Sequence, residues 1–292
     1  MPAENRPAET KLDELLPHQI TEKADDVAFS KATKAFLSAF YLAITAGMFI
    51  SLAFIFYITV TTGLDDVSWG LTKFTGGLAF SMGLLLVVVV GGELFTSSTL
   101  TLIAKASRRI TTAQMLKNWS VVYCGNFVGA IFTVVLVFAA GLYMSDHGHW
   151  GLNVLLTAQH KLHHTFVQAV ALGILCNIMV CLAIWMAFGA RTVTDKMFAV
   201  LLPVAMFVAS GFEHSIANMF MIPSGIMIRH FAPIEFWNEI GHLPAEFADL
   251  TIIGFVVDNL IPVTIGNIIG GGVVVGLMHW MIYLRPAKIK LL

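Results

Sequence analysis

The stretch GFEHSIAN, residues Gly211 to Asn218, places a glutamate beside a histidine inside an apolar run that extends from Met197 to Ile228. An ionisable side chain near the middle of a bilayer costs at least about 2.5 kcal/mol, so such residues typically mark a transport pathway or a coupled pair. Glu213 fits equally well as a structural carboxylate at a helix break. For His214 we favour function, because imidazole changes its charge near physiological pH.

The composition is that of an integral membrane protein. The 292 residues are 57% hydrophobic and 12% charged, with a mean hydropathy of +0.81, whereas about a quarter of the residues in soluble domains are charged. The net charge of -1 and the scattered basic residues exclude a nucleic-acid partner. The three cysteines and the histidine-rich loop (147–164) lack metal-ligand spacing, so we expect no metal site and no cofactor.

Windows of about 20 apolar residues predict six transmembrane helices. Their approximate bounds are 33–60, 71–106, 113–143, 164–188, 197–228 and 252–284. Glycines beside an acid interrupt the second span at Gly92-Glu93 and the fifth at Gly211–His214, and such breaks release the helical hydrogen bonds. We therefore expect an all-α, polytopic membrane protein with spans 2 and 5 broken. Its predicted domains are a tail (1–30), a six-span domain (31–285) and a C-terminal tail (286–292).

The basic residues predict the orientation. All but three of the 17 lysines and arginines fall in the two tails and in the loops after spans 2 and 4, and the exceptions are Lys73, Lys161 and Arg229. The positive-inside rule then places both termini in the cytoplasm. Residues 1–34 are polar and mixed in charge, unlike a signal peptide. We expect them to form a mature cytoplasmic tail with a short helix near its end.

Three pairs of motifs indicate an internal repeat of three spans, about 31–143 and about 160–285. The pairs are Phe40-x-x-Ala43-x-x-x-Gly47 with Phe166-x-x-Ala169-x-x-x-Gly173, Gly92-Glu93 with Gly211–Glu213, and Gly125-Asn126-x-x-Gly129 with Gly266-Asn267-x-x-Gly270. Because each half has an odd number of spans, the second half enters from the opposite face. Inverted repeats of this kind bring the broken helices together near mid-membrane, with helix N-termini aimed at one anion site.

The facing breaks predict a narrow passage. Thr96, His214 and Asn267 are its expected polar lining, and bulky apolar residues around them are expected constrictions, namely Phe80, Leu84, Leu94, Val180 and Phe207. An apolar passage favours a neutral imidazole at rest, able to gain a proton when an anion arrives. Glu213 cannot point the same way along the helix, so we expect it to support the break through Lys161 or Asn177.

Several motifs resemble the formate/nitrite transporter family, and most closely its bacterial formate channel branch. They are Gly211–Met219, Lys161-x-His163-His164-Thr165-Phe166, Phe95-Thr96-Ser97 and Asp258–Gly271, and the resemblance extends from about residue 30 onward. It implies an aquaporin-like fold and a homopentamer in the bacterial inner membrane, with a pore for formate and related small monovalent anions in each protomer. It also implies pH-dependent gating by the N-terminal segment.

The same resemblance gives roles to individual positions. By matching motif, His214, Thr96 and Asn267 resemble polar pore residues, and Lys161, Asn177 and Glu213 resemble the network beside the pore; the five apolar residues above resemble its constrictions. Glu93 stands where the formate branch is expected to have aspartate, which keeps the charge. Nitrite or hydrosulfide transport remains an alternative. A membrane-embedded acid–base enzyme is the other class considered, but no nucleophile motif and no second chain of carboxylates accompany His214.

Overall fold

The computed structural model describes residues 15–64 and 66–285, and within them the regular structure is entirely helical. Predictions about residues 1–14 and 286–292 lie outside the described residues. The first helix, α1, crosses the domain boundary predicted at residue 30. The helices are α1 (Pro17–Thr33), α2 (Phe36–Thr61), α3 (Trp69–Gly91), α4 (Phe95–Ser98), α5 (Thr101–Ala106), α6 (Thr112–Ala139), α7 (His149–Leu162), α8 (Phe166–Gly189), α9 (Val193–Ala209), α10 (Ser215–Phe231), α11 (Ile234–Ile240) and α12 (Gly254–Leu284).

Five helices of the described chain are long and apolar enough to cross a membrane: α2, α3, α6, α8 and α12. The predicted fifth span is divided at its predicted break into α9 and α10, each of 17 residues. The prediction of an all-α, multi-pass membrane protein is confirmed. The count of six spans stays a prediction, because it requires α9 and α10 to cross the bilayer together.

The first helix break lies between α3 and α4. Gly91 ends α3 with φ +102°, a left-handed conformation that favours glycine. The backbone N–H of Glu93 then donates to the carbonyl of Leu42 on α2 at 3.0 Å. Helix α4 begins at Phe95 and has no side-chain cap of its own. Asn126 of α6 accepts the Phe95 N–H at 2.9 Å instead.

The second break repeats this pattern. Gly211 has φ +73°, and the N–H of Glu213 donates to the carbonyl of Leu172 on α8 at 3.3 Å. Asn267 of α12 accepts the N–H of Ser215, the first residue of α10, at 2.9 Å. Asn126 and Asn267 therefore perform the same task in the two halves. The pairing predicted for the break motifs and for the two Gly-Asn motifs agrees with these contacts.

The residue-by-residue match predicted between α2 and α8 in the internal repeat is wrong by about one helical turn. Gly125 faces the carbonyl of Phe40, but its counterpart Gly266 faces the carbonyl of Val170 rather than that of Phe166. One turn further on, Gly129 meets the carbonyl of Ile44 and Gly270 that of Ile174. These contacts are too close for a side chain at any of the four glycines, which lets α6 lie against α2 and α12 against α8.

Helices α1 and α7 lie at opposite ends of the bundle. Helix α1 packs against Trp280–Leu284, the end of α12, whereas α7 packs against Gly254–Leu260, its beginning. A 31-residue helix is about 45 Å long. The two repeats therefore each begin with a helix that covers one end of the molecule, and this extends the repeat beyond the predicted bounds.

Candidate functional site

His214 and Thr96 come together at the point where the two helix breaks meet. The Nε2 atom of His214 lies 3.0 Å from the Oγ1 atom of Thr96. Both residues are buried, and they come from opposite halves of the chain. The structure thus joins two of the three polar residues predicted for the passage.

The hydrogen bonds of His214 define which ring nitrogen carries the proton. Its Nδ1 atom accepts the backbone N–H of Ala217 at 3.0 Å, so the imidazole is the N-cap of α10. An accepting nitrogen has no proton, and a neutral imidazole therefore carries its proton on Nε2. The Nε2–H group donates to Thr96, which leaves the hydroxyl hydrogen of Thr96 free to reach another acceptor.

Aromatic rings enclose His214 on the side of α7. Phe207 stacks on the imidazole with a centroid distance of 6.1 Å, and Phe80 meets Phe207 edge-on at 6.0 Å. Phe54 packs edge-on against Phe80 at 5.2 Å and was not predicted. Leu84, Leu94 and Val180 are buried in the same apolar core. These side chains give the approach to His214 an apolar wall.

Asn267 does not offer its amide to the His214–Thr96 pair. Its Oδ1 accepts from Ser215, while its Nδ2 donates to the carbonyls of Gly173 at 2.8 Å and Glu213 at 3.0 Å. Asn126 makes the matching set with Phe95, Ala43 and Glu93. Both amides are fully used by backbone groups at the breaks, so Asn267 braces the passage and has no free hydrogen for an ion.

Asn177 connects the first break to α12. Its Nδ2 lies within hydrogen-bond distance of the carbonyls of Thr96 and Asn267, at 3.0 and 2.6 Å, and of the hydroxyl of Thr99 at 3.2 Å. Of the two supports expected for Glu213, Lys161 and Asn177, only Lys161 therefore makes the contact. The short side chain of Asn177 projects from α8 toward α4, where the broken helix leaves a backbone carbonyl in need of a hydrogen-bond donor.

Glu213 is held by a different set of partners. Lys161 of α7 donates to its Oε1 at 2.8 Å, as predicted, and both side chains are largely buried. Asn218 and Asn259 donate to its Oε2 at 2.6 and 3.2 Å. Sequence reasoning missed both asparagines as partners. Their place within the two longest recognised motifs was the available signal.

Glu93 has the equivalent position in the first repeat. Lys31 donates to its Oε2 at 2.6 Å, and the Nζ of Lys34 lies 3.1 Å from its Oε1. Asn118 donates to the backbone carbonyl of Lys31, just as Asn259 donates to that of Lys161. We call Lys31, Lys34 and Glu93 the α1 mouth, and Lys161, His164 and Glu213 the α7 mouth. Sequence reasoning did not assign Lys31 or Lys34.

Two cavities lead from the mouths toward the breaks. The one at the α7 mouth has a volume of about 80 Å³ and is lined by Lys161, Glu213 and His214 together with Phe80 and Phe207. The one at the α1 mouth measures about 450 Å³ and reaches Gly92 and Ser97 beneath α1. No described residue lines both cavities, so the two cavities are separate in this structure.

The comparison with family models gives a direct match. Residues 18–281 match the model described as formate/nitrite transporter. The chain belongs to the formate/nitrite transporter family. The formate channel FocA of Escherichia coli (strain K12) is 59% identical over 278 residues, which cover 95% of this chain and 98% of that protein. The FocA of Haemophilus influenzae is 53% identical over 265 residues, or 91% of this chain and 93% of the relative.

Solved structures of the family have the same fold. A pentameric formate channel with formate bound superposes with a TM-score of 0.82 at 56% identity, covering 86% of this chain and 98% of that one. An ion channel of the same family superposes with a TM-score of 0.76 at 28% identity, covering 90% and 98%. The fold and the family resemblance inferred from the motifs are thereby confirmed.

Proposed function

We propose that this protein is a channel for formate and related small monovalent anions, with the His214–Thr96 pair as the polar point of its pore. The observation that carries the proposal is the 3.0 Å contact between the two side chains at the meeting of the helix breaks. The names of its relatives support formate as the permeant ion, and they support a channel rather than an enzyme.

The chemistry of the pair suits a carboxylate. The Nε2–H of His214 and the O–H of Thr96 are two donors side by side, and formate has two oxygen acceptors. An anion that has lost its water in an apolar passage needs such donors, because unpaired charge is costly there. We therefore infer that a passing formate ion inserts between His214 and Thr96 and accepts a hydrogen bond from each.

Proton exchange by His214, expected from the sequence, requires the hydrogen bond at its Nδ1 atom to break. The imidazolium form needs a proton on Nδ1, but Nδ1 accepts the N–H of Ala217. Gaining that proton therefore removes the cap of α10. We propose that His214 serves mainly as a neutral donor, and that it gives a proton to a weak-acid anion only when this cap opens.

The two mouths have the charges that an anion passage needs. Lys31 and Lys161 neutralise the break glutamates, and Lys34 adds a positive charge at the α1 mouth. Cations at a funnel raise the local concentration of anions. Helix α1 covers the larger cavity, and Arg109 holds it through Asp25 and Asp26 at 3.0 and 2.7 Å. We propose that movement of α1 gates this mouth in a pH-dependent way.

The assembly and membrane location are proposed from the relatives and from the charges. The pentameric relative supports a homopentamer with one pore in each protomer. The basic residues support the bacterial inner membrane with α1 and both termini on the cytoplasmic side. The α7 mouth then faces outward. The proposed domains remain residues 1–30, 31–285 and 286–292. The first of them includes most of α1, the proposed gating helix.

Reconstitution in liposomes tests the proposed function. We expect liposomes that contain the protein to take up formate faster than empty liposomes under the same gradient. Nitrite and hydrosulfide are measured in parallel, because the family model names nitrite. Liposomes that pass nitrite or hydrosulfide but formate no faster than empty ones would overturn formate as the substrate. Turnover of a solute without net ion movement would instead favour the enzyme class.

A further inference from the structure

The two mouths differ at one equivalent position. In the α1 mouth, Lys34 follows Lys31 and lies 3.1 Å from Oε1 of Glu93. In the α7 mouth, His164 follows Lys161 at the same interval, and its Nε2 lies 3.9 Å from Oε1 of Glu213. A permanently charged side chain at one mouth is therefore matched by a titratable one at the other.

The ring of His164 lies close to Glu213 but makes no hydrogen bond to it. Its Nε2 atom is buried and has no hydrogen-bond partner among the described residues, although the nearest carboxylate oxygen is only 3.9 Å away. Lys161 already occupies that oxygen at 2.8 Å. A proton on Nε2 would give His164 a donor directed at Glu213, and the two cations would then compete for one atom.

The charged and titratable groups around His164 lie on α7, α3 and α2, at the second break and in the loop that holds Asp249. Its neighbour His160 meets it edge-on at a centroid distance of 5.2 Å. Burial lowers the pKa of His160, and repulsion from His164, Lys161 and Lys73 lowers it further, against an opposing effect of Glu213. His163, the preceding residue, is paired instead with Asp249 at 2.6 Å. The remaining titratable groups at the adjoining cavity are Lys73 of α3, Tyr57 of α2 and His214 at the second break.

We infer that His164 is a second, pH-dependent cation of the α7 mouth, which binds Glu213 when protonated and leaves the ammonium of Lys161 to an arriving anion. With neutral His164, Lys161 and Glu213 cancel. With protonated His164 the mouth has one net positive charge, as Lys31, Lys34 and Glu93 give the α1 mouth. Because acid protonates a neutral imidazole, acid at the α7 side favours anion entry there.

This inference rests on the proposed function, and it is tested by formate influx into cells that express the protein. The external pH is lowered from about 7.5 to about 5.5 while the internal pH is held by buffer. Cells without the protein give the leak of neutral formic acid, which is subtracted. We expect wild-type influx to rise about two- to fivefold, as one unit charge several ångströms away allows in water.

Two substitutions and a control separate the outcomes. We expect His164→Gln to remain at the low rate and His164→Lys at the high rate across the pH range, while His147→Gln behaves as wild type because its exposed ring pairs with Glu239 away from the mouth. Size-exclusion chromatography confirms assembly of each variant. An assembled His164→Gln or His164→Lys with the wild-type pH response overturns the inference. A wild type that passes no formate at any pH overturns the proposed function itself.

Discussion

Lys31 occupies in the first repeat the place that Lys161 occupies in the second. Each lysine ends a helix that covers one mouth, and each donates to the glutamate of a helix break, at 2.6 and 2.8 Å. The backbone carbonyl of each lysine also accepts a hydrogen bond from an asparagine amide on the last long helix of its repeat. The two repeats thus have equivalent ion pairs as well as equivalent breaks, and one such pair lies at each mouth.

The ion pair of Lys161 with Glu213 is expected to be essential for stability. Lys161→Met leaves a carboxylate that is 2% exposed without its cation, at a cost of about 3–5 kcal/mol. The expected result is a large fall in the thermal unfolding temperature or loss of the assembled protein. Glu213→Gln in the same chain removes the unpaired charge and is expected to restore much of the loss.

Lys117→Met is the control for this pair, because Lys117 is exposed. Its unfolding temperature should equal that of wild type. Equal stability of Lys161→Met and Lys117→Met, measured in the same detergent, would contradict the role given to the buried pair.

The asparagines at the two breaks are expected to be equivalent in energy. Asn126→Ala removes the partner of the Phe95 N–H and of the Glu93 carbonyl at the first break. Asn267→Ala does the same to the Ser215 N–H and the Glu213 carbonyl at the second. Each unsatisfied buried group costs about 1–3 kcal/mol. Both variants should unfold at a clearly lower temperature than exposed Asn238→Ala. A variant at either break that matches Asn238→Ala would show that its amide does not brace the break.

The close approach of paired helices predicts a second stability effect. A Cβ atom on Gly129 meets the carbonyl of Ile44, and one on Gly270 meets that of Ile174. Gly129→Ala and Gly270→Ala should each destabilise the protein by about 1–3 kcal/mol, because two helices must separate. Gly70→Ala has open space around it and should be neutral in the same unfolding assay. Neutral behaviour at all three positions would rule out tight packing there.

Thr96 is expected to affect transport through its hydroxyl. Thr96→Val keeps the shape and removes the donor, and a lost hydrogen bond to a charged group costs about 1.5–3 kcal/mol. Formate flux in liposomes should therefore fall by about tenfold or more. Thr96→Ser retains the donor and should retain most of the flux. Equal fluxes for Thr96→Val and Thr96→Ser would remove the hydroxyl from the proposed pathway.

The sequence predicted the fold well wherever physical chemistry leaves few choices. Apolar length defined the long helices, and a glycine beside an acid defined both breaks, because a charge in an apolar span requires a break or a partner. The predicted match between the residues of α2 and those of α8 was wrong by one helical turn. Phe36-x-x-Ala39 lies one turn before Phe40-x-x-Ala43 and matches Phe166-x-x-Ala169 equally well. Only the contacts of Gly125 and Gly266 distinguish the alternatives.

The site was predictable in its types of residue but less so in its contacts. His214 was identified as a lone imidazole in an apolar span, and the structure adds its contact with Thr96. The direction of a short amide cannot be read from spacing, so Asn177 was expected, as an alternative to Lys161, to support Glu213, whereas it reaches the carbonyl of Thr96. Lys31 was missed because its helix lies outside the apolar spans, where the sequence gives no sign of docking.

Formate flux through His214→Asn tests the central claim most directly. Asparagine is a good N-cap, so its Oδ1 should still accept the Ala217 N–H and preserve α10, whereas the Nε2–H donor beside Thr96 is lost. We predict a variant that assembles as wild type and conducts formate in liposomes at least about tenfold more slowly. An assembled His214→Asn protein with wild-type flux at every pH would contradict the proposed role of His214 in the pore.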